Sequence, residues 1–204
     1  KPFTLPSGCG NFIAVISAHL YIDFMSYAKL PPNLSLVLLD RDGVINADSK
    51  DYIKVPDEWT PISGALEAIV QLQQHVNVAV CTNQSGIHRG LFSLDNLHAI
   101  HEKFQSALTS AGGSPISIYF CPHGPDSGCN CRKPRAGLLT AAISQFGGTP
   151  SSTLFAGDSP RDLAAAEAAG CLPVLLRTGN GTKTLARAHP TPITFDDLSE
   201  LAAS

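Results

Sequence analysis

The sequence predicts an α/β fold, a doubly wound and mostly parallel sheet with helices on both faces. Three observations carry that prediction. Short apolar runs of strand length alternate along the chain with segments of helical periodicity. Three of those runs end on polar residues, Asp40, Thr82 and Asp158, which is where an open parallel sheet collects its ligands. The composition, 44% hydrophobic and 15% charged over 204 residues, suits one globular domain with a full core.

The elements follow in order. Leu34 to Leu39 is a buried strand, stopped by the turn at Gly43. Pro61 to Gln74 is a helix, with Ile62, Leu66, Ile69, Val70 and Leu72 on one side. Val76 to Cys81 is the second strand. Ser93 to Leu108 is a helix capped by Ser93, with Leu94, Leu97, Ile100, Phe104 and Leu108 facing inward. Ile116 to Phe120 is the third strand, and Arg135 to Phe146 a helix ended by Gly147 and Gly148. Thr153 to Ala156, the alanine-rich helix Pro160 to Ala169, Leu172 to Leu176 and a last short helix, Phe195 to Leu201, complete the series. The connections after Asn46 and Thr82 are short or helical and leave no room for a large cap domain.

Residues 1–33 read as an N-terminal extension and 34–204 as a single domain. Phe12 to Leu20 is apolar but too short to span a bilayer, and no basic region or small-residue cleavage site marks a signal peptide. The only methionine is Met25, so residues 1–24 lie upstream of a natural start or form a native arm.

The net charge of −3 disfavours nucleic acid or an anionic membrane as partner. The six cysteines do not suit a disulfide framework in a chain this long and regular. Three of them crowd with a histidine into eleven residues, which points to a metal site in a reducing compartment. A cytoplasmic monomer acting on a small molecule is the expectation.

Leu39-Asp40-Arg41-Asp42-Gly43 places two acids two residues apart, just past a strand. With the turn that Gly43 permits, both can face one pocket. The first can attack phosphorus and form an acyl phosphate. The second can protonate the leaving alkoxide and then deprotonate water. Solvated acids of an Asp-Gly turn are the bland alternative. Cys121, His123, Cys129 and Cys131 form the pattern C-x-H-x5-C-x-C, a closed set of four soft ligands for a structural zinc. Cys9, Cys81 and Cys171 read as small apolar residues.

Asp40-Arg41-Asp42-Gly43-Val44 resembles the first motif of the haloacid dehalogenase superfamily of phosphatases. Thr82 fits the second motif, Lys133 the third and Gly157-Asp158-Ser159-Pro160-Arg161-Asp162 the fourth, in the expected order over about residues 34–182. The resemblance implies a Rossmann-like domain of that superfamily and an Mg-dependent phosphomonoester hydrolase. Asp40 is the implied nucleophile, Asp42 the general acid and base, and Thr82 and Lys133 the phosphoryl contacts. Magnesium falls to the Asp40 and Asp158 side chains and the Asp42 carbonyl, hard oxygen ligands of the kind it prefers. Asp162 either orients Lys133 or the metal waters, or serves as an acid at a helix N-terminus.

The zinc loop followed by Cys131-Arg132-Lys133-Pro134 narrows the resemblance to a subgroup acting on a heptose 1,7-bisphosphate or on histidinol phosphate. Asn46-Ala47-Asp48, Asp51-Tyr52-Ile53 and the run Thr82-Asn83-Gln84-Ser85 look like the heptose branch. That branch implies Thr82, Asn83, Gln84, Ser85 and Lys133 around the phosphate. Asp48 and Tyr52, in the loop after the first motif, either touch the sugar hydroxyls or only brace that loop. Arg132 and Arg89 are the local candidates for a second phosphate, with a solvated loop arginine as the alternative for Arg89. Ser159 departs from heptose enzymes with lysine after the fourth-motif aspartate. A nucleic-acid 3′-phosphatase, an inactive phosphate-binding protein and a zinc scaffold are the competing readings.

Overall fold

In the computed structural model, residues 30–204 are described. The expectations for residues 1–24, and most of the extension assigned to 1–33, therefore fall outside the described residues. Six parallel strands form one sheet: β1 (Leu36–Leu39), β2 (Asn77–Asn83), β3 (Ser117–Cys121), β4 (Thr153–Gly157), β5 (Leu172–Leu176) and β6 (Ile193–Phe195), in the order β3-β2-β1-β4-β5-β6. Among the described residues the first strand, β1, lies in the middle of the sheet, and the later strands add outward on both sides. The reversal at β1 therefore opens a crevice beyond the carboxyl ends of β1, β2 and β4.

Successive residues of β1 serve opposite faces. Val37 and Leu39 join one core layer with Ile69 of α1 (Ala65–Gln73) and Ile100 and Phe104 of α2 (Leu94–Ser110). Leu36 and Leu38 join the other with Leu139 and Ala142 of α3 (Gly137–Gln145) and Ala165 and Ala166 of α4 (Pro160–Ala169). A strand buried on both faces must be apolar throughout, which is why its sequence is an unbroken Leu-Val-Leu-Leu. The small side chains of α4 bring its backbone close to β4 and β5.

Two short elements complete the edge beyond β5: α5 (Gly181–Leu185) and α6 (Leu198–Ala202). Phe195, expected to open a helix, instead ends the sixth strand, and the helix begins at Leu198, where Asp197 accepts the Glu200 amide at 2.9 Å. The helix expected from Pro61 starts only at Ala65, because Ser63-Gly64 make a turn first. Strands β2, β3 and β4 each run one or two residues past their expected ends, and α3 begins two residues late.

Candidate active site

Asp40 follows β1 directly, and its amide bonds the carbonyl of Ala156 on β4, so its carboxyl group projects from the middle of the sheet. Lys133, only 2% exposed, places its ammonium 2.9 Å from Asp40 and 2.7 Å from Asp162. Asp158 lies just past β4. Carboxylate oxygens of Asp40, Asp158 and Asp162 all approach within 4.8 Å of one another. Burial pushes the Asp40 carboxyl up to about 7, with Lys133 pulling it back. Burial likewise pushes Asp158 up to about 6, against the hydrogen bonds it accepts from Asn180.

Asp162 performs both of the roles considered for it. One oxygen meets Lys133, while the other accepts the Ser159 amide at 3.0 Å and its hydroxyl at 2.5 Å at the start of α4. Burial would raise its carboxyl, but Lys133 and Ser159 outweigh burial and hold it low. With its oxygens so engaged, Asp40 and Asp158 are the acids left for a divalent cation. Two clustered acids forced upward by burial are groups that such a cation would return to the ionised form, and their hard oxygens fit magnesium.

Asp158 is hemmed in by backbone. Its carboxylate packs onto Gly43 and Gly179, both at positive φ, where an added Cβ at either would overlap it. The Asn180 amide donates to it at 2.7 Å, and the Asn180 side chain spans to Asp48 at 3.1 Å. Asp42 sits on the far side of Asp40. Burial acts to raise its carboxyl, but Arg41, Asn46 and Gln84 more than reverse that and hold it below the usual carboxylate range.

These groups open into one cavity of about 330 Å³, lined by Asp40, Asp42, Asp48, Tyr52, Thr82, Asn83, Gln84, Ser85, Arg132, Lys133 and Asp158, together with Arg89 and Arg161. The side chains do different things there. The Gln84 amide bridges Thr82 at 2.9 Å and Asp42 at 3.0 Å. Asn83 uses its amide on the backbone N–H and C=O of Lys133, at 3.1 and 3.0 Å, and so anchors the loop that carries the ammonium. Tyr52 holds a φ of 66°, a conformation rare outside glycine and one that costs of order 1 kcal/mol.

That loop is tied at its other end by Cys121, His123, Cys129 and Cys131, whose ligand atoms lie within 4.8 Å of one another. A tetrahedral site with metal–sulfur bonds of about 2.3 Å has sulfur–sulfur edges of about 3.8 Å. The Cys121–Cys129 separation is 3.8 Å and Cys121–Cys131 is 3.3 Å, close to that size. The donor set and its spacing fit zinc.

The C-terminal part, residues 130–201, matches a family model described as "HAD-hyrolase-like". The D-glycero-beta-D-manno-heptose-1,7-bisphosphate 7-phosphatase of Pseudomonas aeruginosa is 49% identical over 172 residues, covering 83% of this chain and 97% of the relative. The protein of the same name from Bordetella bronchiseptica is 48% identical over 155 residues, 76% of this chain and 87% of the relative. The chain belongs to the heptose-1,7-bisphosphate 7-phosphatase family. Solved structures agree. A heptose bisphosphate phosphatase from B. bronchiseptica, complexed with magnesium and phosphate, superimposes with a TM-score of 0.80 at 45% identity, covering 83% of this chain and 97% of that one. Its counterpart from Burkholderia thailandensis gives 0.65 at 39% identity, covering 83% and 96%.

Four residues of this family member escaped the sequence reading as contributors to the site. Arg41 and His101 are buried behind Asp42. His101 had a usable signal, because it falls within the inward stripe of α2 among Leu97, Ile100 and Phe104. Asn180, in the loop after β5, had none. Arg161 is exposed at the cavity mouth, three residues past Asp158, where the first turn of α4 aims it at the opening.

Proposed function

We propose that the chain removes the C7 phosphate of D-glycero-D-manno-heptose 1,7-bisphosphate, on the route to ADP-heptose and the lipopolysaccharide core. The observation that carries this reading is the pairing of two charge zones in one cavity. A buried centre of Asp40, Lys133 and Asp158 suits the reacting phosphoryl group, and a rim of Arg89, Arg132 and Arg161 suits a second phosphate. None of the three rim guanidiniums pairs with a carboxylate among the described residues. A monophosphate would leave that rim without a counter-charge.

The reaction runs in two displacements. A carboxylate oxygen of Asp40 bonds to phosphorus while the bond from phosphorus to the sugar oxygen breaks, and Asp42 gives that oxygen its proton. Water then bonds to phosphorus and returns a proton to Asp42, the bond to Asp40 breaks, and inorganic phosphate leaves. Lys133 faces the phosphoryl oxygens, and Thr82, Gln84 and Ser85 shape the wall around them. Asp40, Asp158 and the Asp42 carbonyl would hold magnesium, which would supply charge compensation for those oxygens. Asp48 and Tyr52 border the sugar.

The chain is read as a monomer of the cytoplasm, acting on a phosphorylated sugar rather than on nucleic acid or a membrane. A thiol-rich zinc site needs reduced cysteines, which a reducing compartment maintains. No described helix is long and apolar enough to cross a membrane. Phosphate release with magnesium from heptose 1,7-bisphosphate, heptose 7-phosphate and histidinol phosphate tests the reading. The bisphosphate is expected to give the highest kcat/KM. A preference for histidinol phosphate refutes the heptose assignment and leaves the phosphatase chemistry standing.

A further inference from the structure

Arg41 stands between the two acids of the first motif, yet its side chain reaches neither the cavity nor solvent. It is 0% exposed, whereas Asp42 is 24% exposed and forms part of the cavity wall. The guanidinium grips the Asp42 carboxylate in a fork: Nε to Oδ1 at 3.1 Å, and Nη2 to Oδ1 and Oδ2, both at 3.0 Å. Its remaining nitrogen, Nη1, lies 3.3 Å from Nε2 of the buried His101 on α2. A guanidinium has donors only, so Nε2 accepts and the ring proton belongs on Nδ1. The His101 ring is fixed in turn by an edge contact with Phe120 of β3, centroids 5.9 Å apart. Burying a guanidinium is expensive, and an apolar side chain would fill the same space without that cost. The position of the fork against Asp42 accounts for its being there.

We propose that Arg41 and His101 are positioning residues: His101 orients the guanidinium, and the guanidinium fixes the ionised Asp42 carboxylate at the cavity wall so that it is aimed to take the proton of the water that attacks phosphorus in the second displacement. The proposal rests on Asp42 as the group that moves the proton. Neither residue touches the substrate. Asn46 and Gln84 also donate to Asp42, at 2.9 and 3.0 Å, but each provides a single bond, while the fork sets the plane of the carboxylate.

His101 gives the cleaner test, because removing Arg41 empties a fully buried site and threatens the fold. His101→Phe keeps an aromatic ring against Phe120 and deletes the acceptor; His101→Ala deletes it without added bulk, should the larger ring not fit. His101→Gln restores an acceptor near the position of Nε2. With heptose bisphosphate, His101→Phe and His101→Ala are expected to lower kcat by about tenfold or more while KM stays within about twofold. His101→Gln is expected to recover most of that loss. With an aryl phosphate, whose leaving group departs without a proton, the first-turnover burst is expected to keep its wild-type rate while steady-state turnover slows. A residue that only supports the fold would lower the unfolding midpoint without this pattern.

Unchanged kcat in a folded His101→Phe or His101→Ala protein overturns the proposal. So does equal loss in burst and steady state, or a glutamine variant no better than the phenylalanine one. Asp42→Asn, measured alongside, separates the two levels. If it retains turnover, the role of Asp42 itself fails; if it is inactive and the His101 variants are not, only the positioning role fails.

Discussion

Asp40 and Asp162 share the ammonium of Lys133, and the sharing decides how each tolerates substitution. Burial already opposes the charge on Asp40, and Lys133 keeps Asp162 when Asp40 is neutralised. Asp40→Asn is therefore expected to fold normally and to lower kcat by more than about a thousandfold, as measured by phosphate release alongside circular dichroism. Asp162→Ala has the opposite profile. It strips Lys133 of a buried partner and removes the acceptor that opens α4, at a cost of about 3–5 kcal/mol, readable in urea unfolding. At the cavity mouth, Arg161→Ala is expected to raise KM for heptose bisphosphate about tenfold or more and to leave KM for a small monophosphate within about twofold. Equal losses on both substrates would move Arg161 into the shared phosphate site.

Ser93 caps α2 as its sequence suggests, accepting the Asn96 amide at 3.1 Å, and Ser93→Ala is expected to cost about 0.5–2 kcal/mol in chemical unfolding. The elements that could be read in the sequence share one property. Helices α2 and α4 and strands β1 and β5 carry an apolar pattern set by burial on one or both sides, and the pattern marks their extent to within two residues, β1 starting at Leu36 rather than Leu34. The elements that were missed lack it. Helix α5 is the five-residue Gly-Thr-Lys-Thr-Leu, too short for a periodic stripe, and β6 is three half-buried residues at the sheet edge. The start of α6 was legible from local chemistry, since Asp197 three residues before Glu200 is a capping pattern, but the apolar Phe195 outweighed it. The same contrast holds in the site. The acids, Thr82, Lys133 and the four soft ligands sit in compact stretches of chain. Asn180 and His101 come from β5–α5 and α2, and only the sheet order brings them to Asp158 and Arg41.

For the molecule as a whole, the zinc loop is the tie between stability and activity. It leaves the end of β3 at Cys121, gathers its ligands by Cys131 and delivers Arg132 and Lys133 into the cavity before α3 begins. Protein purified without added metal is expected to carry about one zinc per chain by elemental analysis. Cys131→Ser is expected to lower the unfolding midpoint by roughly 5 °C or more and to reduce turnover as well, because metal binding is coupled to folding. Full stability in zinc-free protein would contradict this. The contact of Gly43 and Gly179 with Asp158 reaches beyond this molecule. A side chain at either position would deform the cation site while every acid, Lys133 and all four soft ligands stayed in place. Among gene products that share the charged motifs, these two uncharged positions are therefore a criterion for telling working copies from decayed ones, and a survey scoring acids alone would miscount them.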